Sequence, residues 1–171
     1  MRIRLFSLLL ISMMPTLVVY SQGEKKPRTV DDYRLTTLRE LSARQPEYVV
    51  KEPNYKDARL IVQADIFPSR VKVVYDGTKR PLLDIKKTVI RSWANHFAGA
   101  PEFYINPYET EMLFVENGEG YWLVVRKEFV PQFEQELKKG DAIELLLIKM
   151  GGIRIDDKLE PVILVEKFLK L

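Results

Sequence analysis

Asn117-Gly118 lies between two runs of strand-forming residues, Glu111 to Glu116 and Gly120 to Arg126. A two-residue turn with both residues at positive φ matches the twist of paired strands, and Asn-Gly is the pair best suited to it. The two runs are therefore expected to be antiparallel neighbours. The same pattern recurs upstream. Leu60 to Phe67 and Arg70 to Tyr75 are β-rich and partly alternating, Pro68-Ser69 separates them, and Asp76-Gly77 closes the second run. This predicts another antiparallel hairpin.

Downstream, Ala142 to Met150 is nearly all strand formers or aliphatic residues, with Glu144 as the exception. Such a strand is expected to be covered on both faces. Gly151-Gly152 is read as a break in it, a bulge or turn pair, Asp156-Asp157-Lys158 as a polar tip, and Val162 to Leu171 as a final strand.

Three helices are expected among these strands. One starts at Thr29, with Asp32 three positions on, and runs to Arg44 before Pro46. The second covers about 81–97: Leu82, Ile85, Val89, Trp93 and His96/Phe97 recur at three- and four-residue steps, with Pro81 in the first turn and Gly99 at the C-cap. The third is short, Val130 to Lys138, ahead of Gly140.

Strands joined mostly by hairpins do not give the alternating order of a parallel sheet. The expected fold is α+β. It is a mostly antiparallel curled sheet or small β-barrel of about six strands, packed by the amphipathic helix at about 81–97. The order strand, short helix, strand, strand at the end of the chain resembles the closing half of OB-type barrels.

Arg2 and Arg4 precede an apolar run, Leu5 to Val19, and the small-residue site Val19-Tyr20-Ser21 follows. This is the order of an export signal. Ser7, Ser12 and Pro15 interrupt the run, which falls short of the about 20 apolar residues a spanning helix needs. Residues 1–21 are expected to be a signal peptide and 22–28 a flexible leader. Residues 29–171 would form a single domain, periplasmic or secreted, with no stable membrane span once the signal is removed. The other possibility is an uncleaved N-terminal anchor.

Loss of Arg2 and Arg4 with the signal shrinks the excess of Lys+Arg over Asp+Glu from three to one. A nearly neutral domain has little grip on nucleic acid, which rewards clustered positive charge. The chain has no cysteine, which removes thiol catalysis, zinc-thiolate sites and disulfide redox chemistry. A domain of this length buries about 70% of its unfolded surface and needs no covalent staples.

The one histidine, His96, has Ser92 four residues before it, but no strand–turn elbow presents that serine as a nucleophile. Asp156-Asp157 with Glu160 and Glu116-Asn117-Glu119 lack the spacing of a calcium loop and read as turn chemistry. Gly118 and Gly120 do not extend into a phosphate-binding loop. No cofactor, metal or catalytic set is expected. Asp65, Glu102, Glu109, Glu111 and Glu144 are acids near apolar strands, and no spacing selects a catalytic pair from them.

Two features point to binding. Aromatic residues gather in Phe103, Tyr104, Tyr108, Tyr121 and Trp122. Aromatic faces stack on sugars and anchor protein partners. Basic residues gather in Lys79, Arg80, Lys86, Lys87 and Arg91. The expected role is non-catalytic binding of a protein partner or an envelope polysaccharide through an aromatic loop, 101–109, and the neighbouring hairpin, with Tyr104 and Tyr108 as an exposed platform. Tyr104, Tyr108 and Trp122 would supply apolar contact, and Lys86, Lys87 and Arg91 a charged rim. The alternatives are an envelope hydrolase using acidic residues, or a structural or assembly protein.

Overall fold

A computed structural model describes residues 28–44, 50–51, 59–62, 68–98, 106–155 and 158–171. Its strands are β1 (Arg34–Leu35), β2 (Val50–Lys51), β3 (Arg59–Val62), β4 (Ser69–Pro81), β5 (Tyr108–Glu116), β6 (Glu119–Arg126), β7 (Ala142–Ile155) and β8 (Lys158–Lys170). The helices are α1 (Leu38–Ala43), α2 (Asp84–Trp93) and α3 (Val130–Glu136). A 3₁₀ turn, Val30–Asp32, precedes β1, and a π turn, Ala94–Ala98, follows α2. Six of the strands have four or more residues, and β1 and β2 are two-residue stubs. The fold is α+β, as the sequence indicates. None of the described helices is long and apolar enough to cross a membrane.

All eight strands are hydrogen-bonded into one sheet in the order β1-β4-β5-β6-β8-β7-β3-β2, and β4 pairs with β7 as well. The sheet is mixed: β1–β4 and β6–β8 are parallel, and the remaining pairs are antiparallel. The β5–β6 hairpin forms as expected. Glu116 faces Glu119, and Asn117 and Gly118 between them take φ of 51° and 83°.

Ile143 to Met150 is buried residue after residue, because β7 has a core on each side. One face sends Ile143, Leu145 and Leu147 into a cluster with Val71, Val73, Tyr75, Met112, Phe114, Leu123, Ile163 and Val165. Leu38 and Leu41 of α1 and Phe133 of α3 complete that cluster, and Phe133 meets the ring of Phe168 at 4.4 Å between centroids. The other face sends Ile148, Met150 and Ile153 into a second cluster under α2, with Leu82, Val89, Ile90, Val124, Val162 and Leu164.

Several sequence expectations are corrected. The helix expected from Thr29 to Arg44 is broken. Tyr33 leaves the 3₁₀ turn extended, Arg34 and Leu35 pair with Ser69 and Arg70, and a second start signal at Thr37 opens α1. There the Thr37 hydroxyl accepts from Glu40 N–H, and the Glu40 carboxylate accepts from Thr37 N–H, a capping box. Of the 60–67 run, only the part up to Val62 is described, and that part does not pair with the 70–75 run as expected. β3 pairs instead with β2 and with Arg154 to Gly151 of β7, while β4 pairs with β1, β5 and β7.

Asp76-Gly77 does not end β4, and of the two readings of Gly151-Gly152 it is the bulge, inside β7, that the register fits. Both lie at register shifts inside longer strands, with Gly77 at φ 85°. The extra residues bend the strand without terminating it. Pro81 closes β4 and is not the first residue of α2, whose N-cap is Leu83. The expected signal peptide, residues 22–27 of the leader, Gly99, Asp65, Glu102, Phe103, Tyr104 and Asp156-Asp157 lie outside the described residues.

Candidate functional site

Strand alternation fixes which side chains of β5 and β6 face away from the first core cluster. Met112 and Phe114 point into it, as do Leu123 and Val125, so Glu111, Leu113, Val115, Gly120, Trp122 and Val124 share the opposite face. Cross-strand pairing lines them up: Glu111 with Val124, Leu113 with Trp122, and Val115 with Gly120. Val115 also faces Val74 of β4.

α2 covers one end of this face. Val124 is fully buried beneath it, in the cluster with Val89 and Ile90. Beyond α2 the face opens. Leu113, Val115 and Trp122 are half-buried, Gly120 is exposed, and Val74 is 38% exposed. On the same side, Leu35 of β1, beside Arg70, is 59% exposed.

A four-member ionic cluster marks the boundary between the covered and open parts. Lys86 of α2 and Glu111 of β5 are both fully buried and bonded to each other. Lys86 Nζ also reaches Glu160 of β8 at 2.6 Å. Arg80 of β4 donates through Nε to Glu111 at 2.9 Å and lies 3.4 Å through Nη2 from Glu160. The Arg80 guanidinium carbon stands 4.2 Å from the ring centroid of Trp122, a cation–π contact. Two cations meet two carboxylates, so the cluster carries no net charge. Burying charge is costly unless each group is paired and hydrogen-bonded, and this arrangement meets that condition.

Two more buried charges hold α1 by its ends. The Glu116 carboxylate accepts from Leu38 N–H at 2.9 Å and Arg39 N–H at 3.2 Å. Lys149 Nζ donates to the carbonyl oxygens of Leu41, Ser42 and Arg44 at 2.9, 3.1 and 2.9 Å. An anion at the N-terminus and a cation at the C-terminus both favour a helix, whose own end groups lack partners. These contacts explain how six residues stay helical.

The residues singled out from the sequence divide. Trp122 lies on the open face. Lys86, expected on a charged rim, is fully buried in the ionic cluster. Its spacing to Val89 and Ile90, three and four residues on, places it on the apolar side of α2, and that was the signal to read. Tyr108, expected in an exposed platform, is only 7% exposed and packs in the cluster beneath α2. Lys87 pairs with Asp84 along the helix at 3.0 Å, and Arg91 is exposed.

His96 Nδ1 donates to the main-chain carbonyl of Ser92 at 2.8 Å, a contact within the helical turn and not with the serine hydroxyl. Glu144 lies against Arg70 at 3.5 Å, and Glu109 is largely exposed near Lys127. No group of three or more His, Asp or Glu side chains gathers among the described residues. The sequence places Arg80 among the basic residues and Glu111 among the acids and does not join them. No local pattern reveals that cluster, because its members come from β4, α2, β5 and β8. Comparison with protein-family models and with curated proteins gave no match for the chain.

Proposed function

We propose that this chain is an exported, non-catalytic binding domain that holds an envelope partner on the open face of β4, β5 and β6, centred on Trp122. The observation that carries the reading is the abrupt change along that face. α2 buries Val124, whereas Leu113 and Trp122, the next pair along the same face, and Val115 and Val74 beyond them stay accessible. A half-exposed tryptophan with an arginine against its ring has the residue types that dominate contact centres.

The architecture we infer is a small barrel of OB type. Its support is the sequence of pairings β4–β5, β5–β6, β6–β8, β8–β7 and β7–β4, which returns to its starting strand, with only β6–β8 parallel and α3 between β6 and β7. Barrels of this type bind through an outer face of the sheet. Export rests on the charged, apolar and small-residue order of residues 1–21.

Co-sedimentation of the purified protein with isolated cell envelope tests the binding role. Wild type and Lys138→Ala should pellet with the envelope, and Trp122→Ala and Val115→Asp should remain in solution while keeping wild-type circular dichroism. Equal pelleting of all four, or of none, overturns the reading. Mass spectrometry of protein recovered from the producing cells should find an N-terminus at Gln22. Intact Met1 on protein confined to the cytosol would overturn export.

A further inference from the structure

We infer that the occupant of the open face is an uncharged stretch of glycan, recognised by Trp122 together with Arg80; this rests on the binding role proposed above. Arg80 is the unusual group. Two of its three guanidinium nitrogens are taken by Glu111 and Glu160, and its plane is held over Trp122. Its side chain is still 32% exposed. Nη1 has no protein partner among the described residues. The guanidinium is thus fixed in place with one donor nitrogen left for a ligand.

The charge balance identifies the ligand chemistry. Arg80 and Lys86 are matched by Glu111 and Glu160, so the site offers a donor without offering net charge. An anionic polymer gains little there. The neighbouring cation Arg70 is likewise matched, by Glu144. Lys72 is exposed on the same face of β4 and is the one cation there with no carboxylate partner among the described residues. One unmatched lysine is a weak anchor for a charged chain, since its attraction is screened at physiological salt.

A sugar ring fits what remains. Its C–H face suits the apolar row of Trp122, Leu113 and Val115, and a hydroxyl or acetamido oxygen suits the spare Arg80 donor. A protein segment would use the apolar row but gives no reason for a locked, charge-neutral arginine beside it.

The test uses envelope that has been digested with protease and extracted with detergent, leaving the glycan polymer. Wild type should pellet with this material as well as with intact envelope. The apparent affinity should change less than about twofold between low salt and about 0.5 M sodium chloride, where exposed charges are strongly screened. Trp122→Ala should weaken binding about tenfold, the factor for losing roughly 1.4 kcal/mol of aromatic contact. Trp122→Phe should recover most of that loss. Arg80→Lys, which keeps the charge that neutralises Glu111, should weaken binding several-fold because it loses the planar fork.

If protease digestion abolishes pelleting while binding to intact envelope still requires Trp122, the occupant is a protein; the glycan inference falls and the binding role stands. If pelleting with the stripped polymer collapses with salt, the ligand is anionic and the inference also falls. If neither preparation distinguishes Trp122→Ala from wild type, the face binds nothing and both readings fail.

Discussion

Replacing Lys86 with methionine tests whether the ionic cluster is as tightly coupled as its geometry implies. Methionine has nearly the length and volume of the lysine stem, so packing under α2 changes little. What changes is Glu111. Its two carboxylate oxygens are bonded separately, one by Lys86 and one by Arg80, and the side chain has no exposure to water. Without Lys86 one buried oxygen loses its donor. Removing one partner of a buried pair costs about 3–5 kcal/mol. The low end applies here, because Arg80 still neutralises Glu111 and Glu160 is exposed enough to turn to solvent.

A loss of about 3 kcal/mol is a large part of the roughly 5–15 kcal/mol that stabilises a typical domain. At about 2–4 °C per kcal/mol for a chain of this size, the midpoint should fall by about 6–12 °C. The paired variant Lys86→Met/Glu111→Leu removes the stranded carboxylate as well. It should be more stable than Lys86→Met alone, and better than the sum of the two single changes by at least about 2 kcal/mol. Urea unfolding followed by tryptophan fluorescence and circular dichroism measures all three, given an unchanged m-value. Additivity within about 0.5 kcal/mol, or a Lys86→Met cost below about 1 kcal/mol, would show that the cluster is not the coupled unit its distances suggest.

Three further outcomes follow from other contacts. Lys149→Met should destabilise by about 2–4 kcal/mol, since three carbonyls at the end of α1 lose a charged donor, partly offset by the desolvation that Lys149 no longer suffers; chemical denaturation measures it. Gly152→Ala should cost about 1–3 kcal/mol, because its Cβ would stand 2.8 Å from Leu159 Cδ1 and 2.9 Å from the Glu160 main-chain oxygen, and the second of these cannot swing aside; thermal melts will show the loss. In an alkaline titration at 295 nm, Tyr33 and Tyr121 should ionise near 12. Burial raises each most, and the carboxylates of Glu166 and Glu119 raise them further. The folded pKa lies above the unfolded value of 10.0, so this contribution to stability is complete below about pH 10 and is lost as pH rises towards 12.

What the sequence disclosed and what it concealed divide by range. The β5–β6 hairpin was legible because Asn117-Gly118 determines it within four residues. The double burial of β7 was legible because both of its faces are apolar, whatever they meet. Strand partners across long separations were not. Proximity in sequence assigns β3 to β4, yet β3 pairs with Gly151 to Arg154 of β7. Asp76-Gly77 reads as a strand end yet lies in a register shift inside β4, because a glycine's freedom serves a bend as well as a stop. The helix expected from Thr29 was divided by a second capping box that the apolar spacing did not reveal. The charge of Lys86 suggests exposure, yet its two carboxylate partners, from β5 and β8, make burial tolerable.

The buried charges and the open face are connected through α2. An apolar helix face with no anchor can slide along a sheet, since hydrophobic contact is non-directional. Lys86 removes that freedom, because its ammonium reaches both Glu111 and Glu160 only in one register of α2 against β5 and β8. The ends of Arg80 and Lys86 that meet those carboxylates therefore set where α2 stops covering the sheet. Leu113, Val115 and Trp122 lie just past that line. A cluster that stabilises the fold only modestly beyond an apolar replacement thus has a second consequence: it keeps the tryptophan half-exposed. The Lys86→Met/Glu111→Leu variant separates the two effects. If it regains stability but its Trp122 becomes more shielded from a neutral fluorescence quencher, with Trp93→Phe as background so that Trp122 alone reports, the ion pairs position α2. Unchanged quenching would leave them a role in stability alone.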